Sequence, residues 1–294
     1  MSDPRSTPSK PPITRILAPN AGRFTGDGTN TWLVGRERLA VVDPGPDDAG
    51  HIDAIVSAAA GRPITHILLT HAHRDHGDGI SRLKRATGAA VFALPRDPDD
   101  ARQRGDRTNS PSGGDFVDLA VPIDQALTGS DSIVAGDATF EAIHTPGHAP
   151  DHLCFALTGT DILFSGDHVM GWSTSVIAPP EGHMGRYLAS LEAVLARPET
   201  RYLPGHGAGI DDGRRTARTY LIHRQMREQA VVDALRSGAR TPREIAAIVY
   251  AGLDPAIWPA AVLSIQAHAE LLIEKGLATS AGPVTSEQPL ALSS

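Results

Sequence analysis

The sequence is short of several things, and each shortage removes an option. Its 294 residues include one cysteine, Cys154, so no disulfide can close within the chain and nothing points to an oxidising compartment. No apolar run approaches the roughly 18 residues that a membrane helix requires. The first twelve residues, MSDPRSTPSKPP, are polar and proline-rich and lack the apolar stretch of a secretion signal. Residues 1–12 therefore read as a disordered start, and a cytoplasmic location is expected. Positive charge is also scarce: 27 Lys and Arg face 34 Asp and Glu, a formal net charge of −7. That balance gives no global field for nucleic acid or anionic membranes and leaves only a local basic patch as a means of attraction. No Ser–His or Cys–His nucleophile arrangement is apparent. The rest is ordinary for a globular chain, with 40% hydrophobic and 21% charged residues. It is enough to bury a full core in one large α/β domain with a small appendage.

Against that background stands Thr70-His71-Ala72-His73-Arg74-Asp75-His76-Gly77, with three imidazoles and one carboxylate in six residues. The run before it, Ile64-Thr65-His66-Ile67-Leu68-Leu69, is apolar and β-branched and reads as a buried strand. A helical pattern follows at 80–86. The motif thus sits on a strand-to-helix loop, where binding residues gather. Neutral imidazole nitrogens and carboxylate oxygens suit a borderline divalent ion such as zinc. One loop cannot fill two metal shells, and three further candidates follow in order. Each comes behind a strand-like run and follows a glycine: His148 in Ile143-His144-Thr145-Pro146-Gly147-His148, Asp167 after Ser165-Gly166, and His206 after Pro204-Gly205. Glycine lets the backbone come close to an ion. His152, beyond His148, is a candidate proton donor or phosphate ligand, or else a support that orients Asp75 or Asp167. His168 is expected to point away as a structural residue.

Strand-like runs cover 32–34, 39–42, 64–69, 89–93, 140–143, 153–157 and 162–164, and helical ones 48–60, 79–87 and 184–196. The segment 95–118, rich in Pro, Gly, Asp and Arg, reads as a loop, either over the site or a plain surface insertion. Cys154 lies in the apolar run Leu153-Cys154-Phe155-Ala156-Leu157 and reads as a buried strand residue.

Over about 14–210 these residues resemble the metallo-β-lactamase superfamily. The order HxHxDH, then H, D and H is similar to its binuclear branch, which contains glyoxalase II and the zinc ribonucleases. The resemblance implies an αββα sandwich of two packed sheets with outer helices. By position it implies that His71, His73 and His148 hold one metal, that Asp75, His76 and His206 hold the other, and that Asp167 bridges both. Phe24-Thr25-Gly26-Asp27-Gly28-Thr29-Asn30-Thr31-Trp32-Leu33-Val34 looks like the family's opening strand. Val41-Val42-Asp43-Pro44-Gly45 looks like the strand and turn below the site, where the family's aspartate, here Asp43, supports the metal loop. Main-class zinc β-lactamases carry cysteine where Asp167 stands, and flavodiiron proteins carry glutamate where His73 stands. Antibiotic hydrolysis and oxygen reduction both lose ground.

After His206 the pattern changes to helices. One long helix reads over 211–236, stopped by Gly238. Thr241-Pro242-Arg243-Glu244 looks like a capped helix start, with Ile245, Ile248 and Val249 as its apolar stripe. A further helix opens at Asp254-Pro255 and stops at Gly276. This order resembles a small winged-helix module, giving a catalytic domain at 13–210 and a long helix plus module at 211–294. The last helix carries only Lys275 as a base, too few for reading a nucleic-acid groove. Its apolar face, Ile257, Ala261, Leu263, Ile265, Leu271 and Leu272, is expected to pack or to form a homodimer. Arg214, Arg215 and Arg218 cluster soon after His206 and are candidates for binding a carboxylate or phosphate at the site mouth.

The resemblance implies a binuclear zinc-dependent hydrolase, with iron or manganese as other metals. A hydroxide held between the ions, oriented by Asp75, would attack an ester, thioester or lactone. A small-molecule substrate is expected and no membrane partner. Two other readings stay open: a single-strand-RNA endoribonuclease, and a mononuclear iron dioxygenase acting on persulfides.

Overall fold

A computed structural model describes residues 10–96 and 121–293. The expected disordered start lies outside the described residues except for 10–12, and so does the 95–118 loop except for Pro95 and Arg96.

The strands form two sheets. The first runs β1 (Ile13–Leu17), β2 (Asn30–Val34), β3 (Leu39–Val42), β4 (Ile64–Leu68), β5 (Ala90–Ala93) and β6 (Gln125–Ala126) in that order. β1 to β3 pair antiparallel, and β3 to β6 pair parallel. The second runs β11 (Arg201–Pro204), β10 (Ile162–Gly166), β9 (Leu153–Leu157), β8 (Ala138–His144) and β7 (Ser132–Ala135). Its β10–β11 pair is parallel and the rest are antiparallel.

Alternation along the strands explains the layering. Trp32, Val34, Ala40, Val42 and Leu68 of the first sheet meet Phe140, Leu153, Phe155, Leu157 and Phe164 of the second in one core. The neighbours Leu33, Leu39, Val41 and Ile67 face outward onto α1 (Ala49–Ala59) and α3 (Ile80–Thr87), with the short α2 (Arg74–Gly77) between them in the chain. On the other flank Cys154, Ala156 and Leu163 face α4 (Met184–Leu195) and α5 (Gly213–Arg236). The central strands β2, β3, β9 and β10 are buried on both faces, so they read as continuous apolar runs. The αββα sandwich is therefore present. Cys154 is a fully buried strand residue, and burial lifts its thiol to about 12.

The C-terminal module comprises the end of α5, α6 (Pro242–Val249), α7 (Trp258–Glu274) and a hairpin of β12 (Ala278–Ser280) and β13 (Leu290–Leu292). Thr241 and Glu244 form the reciprocal cap at the start of α6, as the sequence predicts. One expectation needs correction. The helical stretch Pro255–Glu274 is long and apolar enough, by length and composition, to cross a membrane, and half of it is buried within the protein. The reason is that α7 serves two cores. Ala267 and Leu271 pack with Met184, Tyr187 and Leu191 of α4, while Val262, Ile265, Ala269 and Leu272 pack with Val231, Leu235 and Ile245.

Candidate metal centre

The candidate ligands leave the carboxyl ends of strands from both sheets, the usual place for a crevice in such sheets. Asp43 follows β3 with φ of 53° and is 1% exposed. Its Oδ1 accepts the Thr70 backbone N–H at 2.8 Å, and its Oδ2 accepts the Thr70 hydroxyl at 2.8 Å and His76 Nδ1–H at 2.9 Å. The turn below also holds the motif, because His76 O accepts the Gly45 N–H and Gly45 O accepts the Gly79 N–H.

Seven side chains converge above this turn. His71 Nε2 and His148 Nε2 lie 3.0 and 3.1 Å from His73 Nδ1. His76 Nε2 lies 3.3 Å from His206 Nε2. Asp75 Oδ2 is 3.1 Å from His206 Nε2 and 3.4 Å from His76 Nε2. Asp167 stands between the groups: its Oδ1 is 3.4 Å from His76 Nε2, and its Oδ2 is 3.4 Å from His206 Nε2 and 3.6 Å from His148 Nε2. By donor distance they form three sets able to hold an ion: His71, His73 and His148; His71, His76 and Asp167; Asp75, His76 and His206.

The outer ring nitrogens fix the tautomers. His148 Nδ1 donates to Val176 O at 2.7 Å, His73 Nε2 to Glu181 Oε2 at 3.0 Å, and His206 Nδ1 to Gly28 O at 3.2 Å. His76 Nδ1 donates to Asp43. The Thr70 hydroxyl, already donating to Asp43, accepts from His71 Nδ1 at 3.0 Å. All five rings thus turn their second nitrogen inward, which presents a lone pair wherever it carries no proton. Asp167 Oδ1 is buried with no hydrogen-bond donor among the described residues. Five inward ring nitrogens and two carboxylates crowded into one buried space form a donor set that a cation satisfies. The donor set is nitrogen and oxygen, which fits a divalent metal.

Electrostatics divide the site. Burial, then the neighbouring imidazoles, push His71 well below its usual value and His148 down to about 4. Burial also opposes charge on His206, yet Asp167 and Asp75 hold it up at about 10, and the same carboxylates with Asp43 raise His76. Burial would raise Asp167, but His206 and His76 keep it well below the carboxylate range. His71 and His148 therefore stay neutral, whereas His76 and His206 form a carboxylate–imidazolium cluster that must shed protons to bind metal.

Supports come from elsewhere in the chain. Thr29 Oγ1 donates to Asp75 Oδ2 at 3.2 Å. Asn30 Nδ2 donates to Pro204 O and Gly207 O, both at 2.9 Å, pinning the His206 loop. His152 is fully buried: its Nε2 accepts the Asp167 backbone N–H at 3.1 Å and its Nδ1 faces Thr145 Oγ1 at 2.8 Å. Both nitrogens are engaged behind Asp167, so the expectation of a proton donor gives way to the supporting role. His168 is likewise buried, edge-on to Tyr187.

The three arginines are not brought to the site, and this corrects the expectation. After His206 the chain turns back, with Ile210 bridging to Tyr202, and Gly213 N–H bonds Thr200 O at 2.7 Å. Helix α5 therefore starts at the opposite end of β11. Arg214 donates to Leu195 O at 3.1 Å, and Arg215 and Arg218 are exposed on its outer side. The pocket over the metal ligands is walled instead by Phe24, Thr25, Arg74, Met170 and Val176. Trp172, 47% exposed, stands so close to the 22–26 turn that a Cβ on Gly26 would lie 3.2 Å from its ring. Glu181, Met170 and Val176 were not legible in the sequence, because none sits in a spaced motif.

The sequence profile described as the metallo-beta-lactamase superfamily matches residues 24–206. The chain belongs to the metallo-beta-lactamase superfamily. A second profile, the beta-lactamase associated winged helix domain, matches 241–283, so the C-terminal module is a winged helix of the kind this superfamily carries. Among curated relatives, the atrochrysone carboxyl ACP thioesterase AgnL7 of Paecilomyces divaricatus is 35% identical over 228 residues, 76% of this chain and 65% of that protein. The beta-lactamase-like protein 2 homolog of Drosophila melanogaster is 30% identical over 279 residues, 90% of this chain and 88% of that one. The matched region spans 64 to 65% of the length of the first curated relatives. The metallo-beta-lactamase family protein TTHA1429 of Thermus thermophilus shares the fold with a TM-score of 0.74 at 21% identity, over 96% of this chain and 98% of that one.

Proposed function

We propose that this protein is a metal-dependent hydrolase of a small acyl substrate, a thioester in first place and an ester or lactone after it. Two divalent ions, zinc by the nitrogen and oxygen donor set, would be held by His71, His73 and His148 and by Asp75, His76 and His206, with Asp167 between them. The observation that carries the reading is the inward convergence of five imidazole nitrogens on Asp75 and Asp167. Such an ion pair supplies a hydroxide nucleophile near neutral pH and polarises the attacked carbonyl. Asp75, held by Thr29 and open to the pocket, would orient that nucleophile. Phe24, Met170 and Val176 offer an apolar wall to the acyl group. Thioesters come first because curated relatives are named as thioesterases. The RNA reading finds little support: at the pocket wall Arg74 is paired with Asp78, and on the winged helix Lys275 is paired with Glu228.

The test is hydrolysis of matched acyl thioesters, esters, lactones and single-stranded RNA by chelator-stripped and zinc-reconstituted protein, with metal counted per chain. The expected result is about two ions, thioester turnover only when reconstituted, and loss of both turnover and one ion in Asp167→Asn. Cleavage of RNA alone, or one tightly bound iron with no zinc uptake, would overturn the proposal.

A further inference from the structure

A chain of charged side chains grips two adjacent residues of the motif from opposite sides. Asp151 Oδ2 accepts the Ala72 backbone N–H at 2.9 Å. Asp151 Oδ1 pairs with Arg96 Nε at 3.0 Å, and Arg96 Nη1 donates to Glu181 Oε1 at 2.9 Å. Glu181 Oε2 accepts from His73 Nε2 at 3.0 Å. Ala72 and His73 are neighbours, so the chain closes into a ring through the backbone. Three segments distant in sequence supply it: the end of β5, the loop after β8 and the approach to α4. It is well shielded, with Asp151, Arg96 and Glu181 side chains 3, 15 and 21% exposed.

The ring treats His73 differently from its companions. In the set of His71, His73 and His148, the outer nitrogens of His71 and His148 meet a hydroxyl and a backbone carbonyl. Only His73 is backed by an anion. A carboxylate on the far nitrogen fixes the tautomer and ring plane and makes the inward nitrogen a stronger donor. Asp43 plays that part for His76 in the other set, so each set has one carboxylate-backed imidazole. Arg96 ties down the other oxygen of the Glu181 carboxylate.

We propose that Glu181 is a positioning residue that sets the affinity of the His71–His73–His148 group for its metal ion, and that Arg96 locks it in place. The assignment rests on the metal-dependent reading above. Its test is a comparison of full-length wild type, Glu181→Gln and Arg96→Met. Zinc affinities are measured by competition with a chromophoric chelator, visible spectra are taken after cobalt substitution, and circular dichroism checks the fold. Glu181→Gln keeps the shape and an accepting oxygen but removes the charge. It is expected to weaken one of the two ions roughly ten- to a hundredfold, leave the other unchanged and shift one cobalt band. Arg96→Met is expected to move the same ion in the same direction by less. Two ions bound to Glu181→Gln as tightly as to wild type, or both weakened alike, would overturn the assignment alone. A wild type that binds no divalent ion would overturn the metal reading and the assignment with it.

Discussion

A Cβ on Gly205 would stand 2.6 Å from Asp167 Oδ1 and 2.6 Å from His76 Cε1. That is inside van der Waals contact, so the methyl of Gly205→Ala must displace a candidate metal ligand or its own loop. The expected outcome is a folded protein, destabilised by about 1–3 kcal/mol as for other overpacked sites, whose metal content after reconstitution falls by one ion per chain. Elemental analysis beside a melting curve checks it, and wild-type content would show that the ligands yield freely. At this scale the sequence was most readable where chemistry is concentrated. His71, His73, Asp75 and His76 share one short segment, and Asp43, His148, Asp167 and His206 each follow a strand, so spacing exposes them. Glu181, Arg96 and Asp151 are joined only by folding, across separations that leave no periodic trace. The role of His152 was open because its choice depends on what lies behind Asp167.

Helix α5 belongs to both halves of the protein. Its first turns pack on the catalytic domain and its last, with Val231, Ala234 and Leu235, form the module core. Midway, Tyr220 donates to Met170 O and Ser173 O, and buried Arg224 donates to Ser175 O. The next carbonyl, Val176 O, is the acceptor that orients His148. Replacing Arg224 by Met strips a charged donor from a buried carbonyl, which costs about 1.5–3 kcal/mol. The variant is expected to melt earlier and to show a raised Michaelis constant for the best acyl substrate, since Met170 and Val176 wall the pocket. A lowered melting point with unchanged kinetics would mean that the loop does not depend on Arg224. Long elements such as α5 and α1 were legible from periodicity and caps. The edge strands β1, β6 and β7 and the hairpin of β12 and β13 were not, because their partly exposed residues leave no continuous apolar run. The backward turn after His206 was also hidden, because it is made by backbone pairing, and with it went the position of Arg214, Arg215 and Arg218.

For the molecule as a whole, acid sensitivity follows from buried imidazoles. In α7, His268 has no hydrogen-bond partner on either nitrogen among the described residues, and burial, with Arg224, His223, Arg227 and Lys275 nearby, takes it down to about 3. The folded protein keeps this ring neutral, whereas the unfolded chain takes up a proton below about 6.5. Its contribution is therefore complete above about pH 6.5 and is lost progressively as pH falls toward 3, to an extent on the order of a few kcal/mol. In denaturant titrations at about pH 7.5 and 5, on either side of the unfolded value, His268→Leu should lose less stability than wild type on acidification, and parallel losses would refute it. The same helix has a longer consequence. Since α7 covers Tyr187 and Leu191 on one side and builds the winged helix on the other, the two matched regions share a wall. A recombination event that exchanged one module for another between the two matched regions would leave the retained half with an uncovered face. Descent in this lineage would therefore hand the pair down together, and a substitution at Ala267 or Leu271 would have to be answered across the boundary, in α4.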